Sequence, residues 1–204
     1  MYNWRSMTHA QRESIIKFRK LQGQPWHAPP HGLEKNWYHI SAACYEHKPV
    51  IGKEPDRMAA FEAALLTVLR HSCNKVSAWC VLPNHYHCLV QCVSISMCRH
   101  ELGLLHGRTS REWNKEDNAA GRKCWHRCLP KEIKSERHRW ATVNYIHNNP
   151  VHHEYVRLWQ EWLFSSAQHY LDAVGRETAE KIWREFPVLD IGKGWDDDPR
   201  MLVD

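Results

Sequence analysis

Two histidines separated by one residue, His85 and His87, lie in the run Val81-Leu82-Pro83-Asn84-His85-Tyr86-His87-Cys88-Leu89-Val90. The apolar residues around them read as a β-strand, whose side chains alternate between two faces. Both imidazoles then leave from the same face, about 6–7 Å apart at the backbone, and two neutral imidazoles at that spacing can share one divalent ion. Tyr86 points the other way with Cys88, Val90 and Cys92, while Leu89 and Gln91 continue the histidine face. Sixty residues after His85, Tyr145 and Asn149 fall one turn apart in a segment with helical periodicity. A phenol and an amide oxygen on one side of a helix would present a nucleophile beside such an ion. Each feature alone has an ordinary explanation. Sixteen histidines will produce an H-x-H by chance, and most tyrosines simply pack.

The elements that must position these residues follow from periodicity and punctuation. A short helix is predicted over 8–22, with Thr8 as its cap and Ile15, Ile16, Phe18 and Leu21 on one face. Pro25, Pro29 and Pro30 turn the stretch 24–31 into an extended arm. A strand is expected over 37–45 and an amphipathic helix over 55–71, with Met58, Phe61, Leu65, Leu66 and Leu69 at helical spacing. Strands over 76–82 and 86–92 flank Pro83-Asn84 as a tight hairpin. A basic helix over 97–115 and a fourth strand over 123–128 come next. The helix over 135–149 carries Trp140, Val143 and Ile146 as its packing stripe, with Tyr145 beside it, and is expected to stop at Pro150. A last helix is expected over 176–186, after Gly175. The order strand, helix, strand, strand, helix, strand fits a ferredoxin-like α+β core with antiparallel neighbours.

Composition narrows the setting. The chain has 204 residues, about one domain with appended arms, and 43% hydrophobic content supports a packed core. No apolar run approaches the roughly 18 residues of a membrane span. The first residues, Met1-Tyr2-Asn3-Trp4-Arg5, lack a secretory signal's apolar stretch, so the expected compartment is the cytoplasm. Eight cysteines then read as free thiols. The spacings Cys88/Cys92 and Cys124/Cys128 leave zinc as an alternative. The net charge of +5 is unevenly placed. Between Val93 and Trp140, eleven Lys and Arg face six acids; the first 35 residues carry six against two. Basic stretches interleaved with eleven tryptophans suit a nucleic acid, although core tryptophans on a soluble protein would look the same. The tail from Asp190, with Asp196-Asp197-Asp198, is acidic and reads as a solvated end.

Taken together, the His85–His87 run and Asn144-Tyr145-Ile146-His147-Asn148-Asn149-Pro150-Val151 resemble the HUH single-tyrosine transposases, and most closely the REP-associated tyrosine transposase branch. Trp162-Leu163-Phe164-Ser165-Ser166 is similar to that branch's W-x-[WY]-S-S element, and the resemblance covers about residues 35–170. It implies an α+β fold, a ferredoxin-like antiparallel sheet with packed helices (the HUH endonuclease fold), with extensions over 1–34 and 171–204. It implies that His85, His87 and Asn149 bind Mg²⁺ or Mn²⁺ and that Tyr145 is the nucleophile of a single-strand DNA endonuclease and strand transferase. The expected intermediate is a 5′-phosphotyrosine, and the expected partner is single-stranded or hairpin DNA from short palindromic repeats. Candidates to hold that DNA are Trp26, His27, Arg122, Lys123, Trp125, Arg127, Arg137 and Arg139, with the basic helix and Trp113. His147 is a candidate proton shuttle, with packing or DNA contact as its other roles. Tyr86 is polar at its tip where the family has an apolar residue. The resemblance places the protein in a bacterial cytoplasm, on the nucleoid, as a monomer, with dimers known among single-tyrosine relatives. Two other readings stand beside this one: a hairpin-binding protein that no longer cuts, and a zinc-stabilised DNA-binding module.

Overall fold

The computed structural model describes residues 36–188 and the single residue Thr8. The expected N-terminal helix and arm, with Trp26 and His27, and the acidic tail lie outside the described residues.

Four strands form one sheet in the order β2-β3-β1-β4, with β1 Trp37–Ala43, β2 Lys75–Val81, β3 His85–Gln91 and β4 Leu129–Glu132. All neighbours are antiparallel, as a split β-α-β arrangement requires. Helix α1, Pro55–Ser72, starts with proline in its first turn and buries Met58, Phe61, Leu65 and Leu69. Helix α2, Ile95–Glu116, is capped by the Ser94 hydroxyl, which accepts from the Met97 N–H at 3.3 Å. The α+β class and the ferredoxin-like order are therefore those expected. Among the described residues, no helix is long and apolar enough to cross a membrane.

Two elements differ from expectation. The fourth strand is 129–132 rather than 123–128, and Trp125 makes only an isolated bridge with Cys44. The Trp125 indole is drawn into the core, stacked on His106 at 4.2 Å, so the strand forms only after the chain has left that aromatic cluster. Helix α3 runs Glu136–His152, straight through Pro150. Proline there falls in the last turn, where its missing N–H removes a single helical bond. The end is closed by the His153 N–H on the Asn149 carbonyl at 3.0 Å and the Tyr155 N–H on the Pro150 carbonyl at 2.9 Å.

An unanticipated helix, α4 Ala167–Val174, is followed at Gly175 (φ 80°) by α5, Arg176–Glu185. Helix α4 crosses residues 170 and 171, and the Asn144 side-chain amide in α3 donates to the Phe186 carbonyl at 2.9 Å, so both helices are built onto the same unit. The Trp162–Ser166 element lies along the outer edge of β2. The Val81 N–H bonds the Phe164 carbonyl at 2.8 Å, and the Ser166 N–H bonds the Trp79 carbonyl at 3.0 Å. That pairing covers an edge that would otherwise expose unpaired peptide groups.

The central strand β3 is buried on both faces. Tyr86, Cys88 and Val90 join Ile40, Phe61, Leu65, Leu102 and Trp113 in the main core, under α1 and α2. The opposite face, carrying His85, His87 and Leu89, meets α3.

Candidate active site

The hairpin before β3 is fastened from two directions. The Cys44 N–H bonds the Asn84 carbonyl at 2.7 Å, and the Gly52 N–H bonds the Pro83 carbonyl at 2.9 Å. Residue 52 has to be glycine for this approach, because a Cβ there would lie 2.6 Å from Pro83 Cα. Strand alternation then sends both imidazoles toward α3, with ring centroids 5.0 Å apart.

From the other side, α3 brings Tyr145 and Asn149 one turn apart. The Tyr145 hydroxyl lies 3.5 Å from His87 Nε2, and Asn149 Oδ1 lies 3.0 Å from His85 Nε2. Asn149 meets His85 because the helix continues through Pro150 and keeps residue 149 in register. All four residues are buried, at 1–5% exposure. The structure thus brings together four of the residues singled out by sequence, from two segments sixty residues apart.

The hydrogen-bond roles can be assigned around His85. The Asn84 amide nitrogen donates to the His47 carbonyl at 3.0 Å, which turns Asn84 Oδ1 toward His85 Nδ1 at 2.7 Å. His85 Nδ1 therefore carries the proton, and in the neutral ring Nε2 bears a lone pair. That lone pair faces the Asn149 carbonyl oxygen. Two acceptors at this separation repel unless positive charge lies between them, supplied by a proton or a cation. Two imidazole nitrogens and an amide oxygen form a donor set suited to a divalent ion with open positions.

Two residues beside the cluster go unannounced by the sequence, His39 and His153, the latter with its ring centroid 5.0 Å from that of His85. His39, on β1, is buried with its Nε2 3.1 Å from His87 Nδ1, and its ring meets Tyr145 edge-on at 5.8 Å. It lies opposite Leu89 in the strand register, diagonal to His87, within reach of a long side chain. Nothing in a run such as Trp37-Tyr38-His39-Ile40 announces this; only the β1–β3 pairing does.

His147 is on the motif helix but belongs to another environment. Its Nε2 lies 2.8 Å from the Ser166 hydroxyl, its ring stacks on Trp159 at 5.9 Å, and burial pushes its pKa down to about 3. It packs as a neutral ring, pinned by the Trp162–Ser166 element, and is not within the Tyr145 cluster.

The expected DNA-contacting side chains divide. Trp125 is occupied on its faces by His106 and the Phe61 and Trp113 rings, and its Nε1 donates to Thr109 Oγ1 at 3.3 Å, so it packs in the core and offers no open ring to a base. Trp113 is likewise buried. Arg122 donates to Asp117 at 2.8 Å and to Asn114 at 2.9 Å, and Arg139 clasps Glu136 and covers the Trp140 ring at 4.3 Å. Lys123 is exposed with its ammonium over Tyr45 at 4.3 Å, and Arg137 is exposed on α3. Arg127 is exposed in a groove with Arg99, His100 and His126, on the α2 side of the sheet, away from Tyr145.

The four paired cysteines do not close on one point, although Cys88 and Cys128 lie near enough to interact across the core. Cys124 Sγ contacts Asn114 Oδ1 at 3.2 Å near the end of α2, whereas Cys92 is hydrogen-bonded by Cys73, whose Sγ lies 3.6 Å from Cys98 near its start. Sixteen helical residues separate those two places, about 24 Å. Among the described residues, no three His, Cys, Asp or Glu side chains are arranged to hold a metal.

The chain superposes on the structure of a REP-associated tyrosine transposase bound to a REP hairpin with a TM-score of 0.53 and 18% identity, covering 72% of this chain and 85% of that one. The chain has the fold of a REP-associated tyrosine transposase. A structure from Deinococcus radiodurans R1, described as a candidate transposase, aligns with a TM-score of 0.37 and 16% identity over 59% of this chain and 96% of that one. No family model and no curated protein sequence matches the chain.

Proposed function

We propose that the protein is a metal-dependent single-strand DNA endonuclease and strand transferase that acts on hairpin-bearing DNA through Tyr145. The observation that carries this reading is the meeting of Tyr145 and Asn149 with His85 and His87, at 3.5 Å and 3.0 Å, in the fold shared with a REP-associated transposase. The hairpin carried by that neighbour supports a hairpin as the partner here.

In the proposed reaction the Tyr145 oxygen attacks the scissile phosphorus, forming an O–P bond while the bond from phosphorus to the 3′-oxygen breaks. The phenol loses its proton and the departing oxygen gains one, leaving a free 3′-OH and a 5′-phosphotyrosine. A phenol titrates near about pH 10 in water, so the site must assist its ionisation. His85, His87 and Asn149 are the residues that would hold Mn²⁺ or Mg²⁺, and their two nitrogens favour Mn²⁺. When bound, the ion polarises the phosphate and neutralises its growing negative charge. The phosphotyrosine ester conserves the energy of the cleaved link, so a later 3′-OH can attack it and rejoin the strand without ATP. Of the expected DNA-contacting residues, Lys123 and Arg137 are exposed to meet phosphates, and Arg127 would meet only DNA that reaches the α2 side of the sheet. The protein is proposed to act as a monomer.

The test is a labelled single strand bearing the hairpin that flanks the protein's own gene, incubated with Mn²⁺ or EDTA and resolved on denaturing gels. A covalent band that requires Mn²⁺ and disappears in Tyr145→Phe is expected. Tight hairpin binding with no band would replace this reading with that of a binding protein that no longer cuts.

A further inference from the structure

Both strand histidines are held at Nδ1 by a neighbour that has no part in the proposed chemistry. We infer that Asn84 and His39 are positioning residues that lock His85 and His87 in the Nδ1–H tautomer, so that both Nε2 lone pairs face the helix bearing Tyr145 and Asn149. The inference rests on the reading of His85 and His87 as metal ligands.

Asn84 is fixed by its backbone as well as its side chain. Its carbonyl accepts from the Cys44 N–H at 2.7 Å and its amide nitrogen donates to the His47 carbonyl at 3.0 Å. The oxygen left facing His85 Nδ1, at 2.7 Å, can only accept. His39 plays the corresponding part for His87 across the β1–β3 pairing. Its Nε2 sits 3.1 Å from His87 Nδ1, with the rings tilted by 34° and both side chains buried. One proton is shared between these two nitrogens, and only its residence on His87 Nδ1 leaves a lone pair on His87 Nε2. The Tyr145 hydroxyl, 3.5 Å from that Nε2, can donate only to the lone-pair form. Orienting partners of metal-bound histidines act in this way, fixing the ring and its tautomer from behind.

The experiment compares His39→Ala, His39→Gln, Asn84→Ala and Asn84→Asp with wild type, after circular dichroism has established that each is folded. Mn²⁺ affinity is measured by calorimetry, and imidazole tautomers by ¹⁵N NMR of the metal-free protein. The two Ala variants should bind Mn²⁺ about 10–100-fold more weakly. The conservative variants His39→Gln and Asn84→Asp each return an acceptor to the same place and should recover most of that loss. Hairpin binding in EDTA should be the same in all. The wild-type spectrum should show Nδ1–H at both rings, with His39→Ala disturbing His87 alone. Folded Ala variants that bind Mn²⁺ as tightly as wild type would overturn the proposal, as would a wild-type His87 protonated at Nε2. If His39→Ala does not fold, the wild-type spectrum and His39→Gln decide the matter. Undiminished Mn²⁺ binding by His85→Ala would overturn the metal reading itself, and this proposal with it.

Discussion

Each face of strand β3 contributes one member of a tyrosine–histidine pair, and the two pairs could hardly be used more differently. Under α1 and α2, the Tyr86 hydroxyl meets His106 Nε2 at 3.1 Å; toward α3, the Tyr145 hydroxyl meets His87 Nε2 at 3.5 Å. The first pair is enclosed by Phe61 and Trp125, and burial pushes His106 down to about 4 and Tyr86 well above its ordinary pKa. Both groups stay neutral, and the hydrogen bond settles a polar tip inside an aromatic core. This accounts for a side chain with a polar tip at a fully buried position of the strand. The second pair has Asn149, His85 and His39 converging on it, with lone pairs directed at one another. Residue type is the same on both faces; what differs is the company, an aromatic core around Tyr86 and His106 and a cluster of imidazoles with an amide around Tyr145 and His87.

The sharpest way to break the comparison is to remove each hydroxyl in turn. Tyr145→Phe should abolish the covalent DNA adduct, whereas Tyr86→Phe should leave adduct formation within about twofold of wild type, its cost being structural. Equal losses in the two variants, on the same denaturing gel, would erase the distinction. Next in size, His85→Ala or His87→Ala, like EDTA, should lower the rate of adduct formation by at least about a hundredfold while sparing hairpin affinity in gel shifts.

A pH titration tests the neutral side of the comparison. His106 and His147 have folded pKa values of about 4 and about 3, against an ordinary value of 6.5. Below pH 6.5 the unfolded chain takes up protons that the folded protein refuses, so stability present above that pH is lost as it falls toward 4 and then 3. The combined loss is on the order of several kcal/mol, read from urea midpoints between pH 7 and pH 4. Replacing His147 with Asn should remove about half of that slope. A profile unchanged by that replacement would mean the folded protein binds a proton at this ring as readily as the unfolded chain does.

Two smaller effects sharpen the picture. Gly52→Ala pushes a methyl group against Pro83, displacing the turn that delivers His85, and should cost about 1–3 kcal/mol with slower adduct formation. Tyr86→Phe leaves His106 Nε2 without its partner and should cost about 1–2 kcal/mol in chemical denaturation, with Mn²⁺ affinity unchanged.

Much of the architecture was legible in residue order. Helices α1 and α2 and strands β1 to β3 fall within a few residues of their predicted bounds, because each has a strong apolar period and clear punctuation at its ends. Strand β4 was misplaced because Leu129–Glu132 has little periodicity of its own and is a strand only by pairing with Tyr38–Ser41. Pro150 looks like a stop in sequence, but it falls in the last turn of α3, where the missing N–H removes a single bond and the helix continues. Residue order does not distinguish a base-stacking Trp125 from a packed one, because a tryptophan in a basic stretch looks alike whether its face is open or covered.

What the sequence by itself determined is the local part of the site. Alternation along a strand put His85 and His87 on one face, and the helical repeat put Tyr145 and Asn149 one turn apart. Both are consequences of backbone geometry over a few residues, which residue order carries directly. The tertiary structure alone decided that these two pairs meet, that His39 stands behind His87, and that Trp125, Arg122 and His147 are taken up in packing. Those relations depend on strand register and on how helices stack across a sheet. They join residues far apart in the chain through contacts that no local pattern encodes.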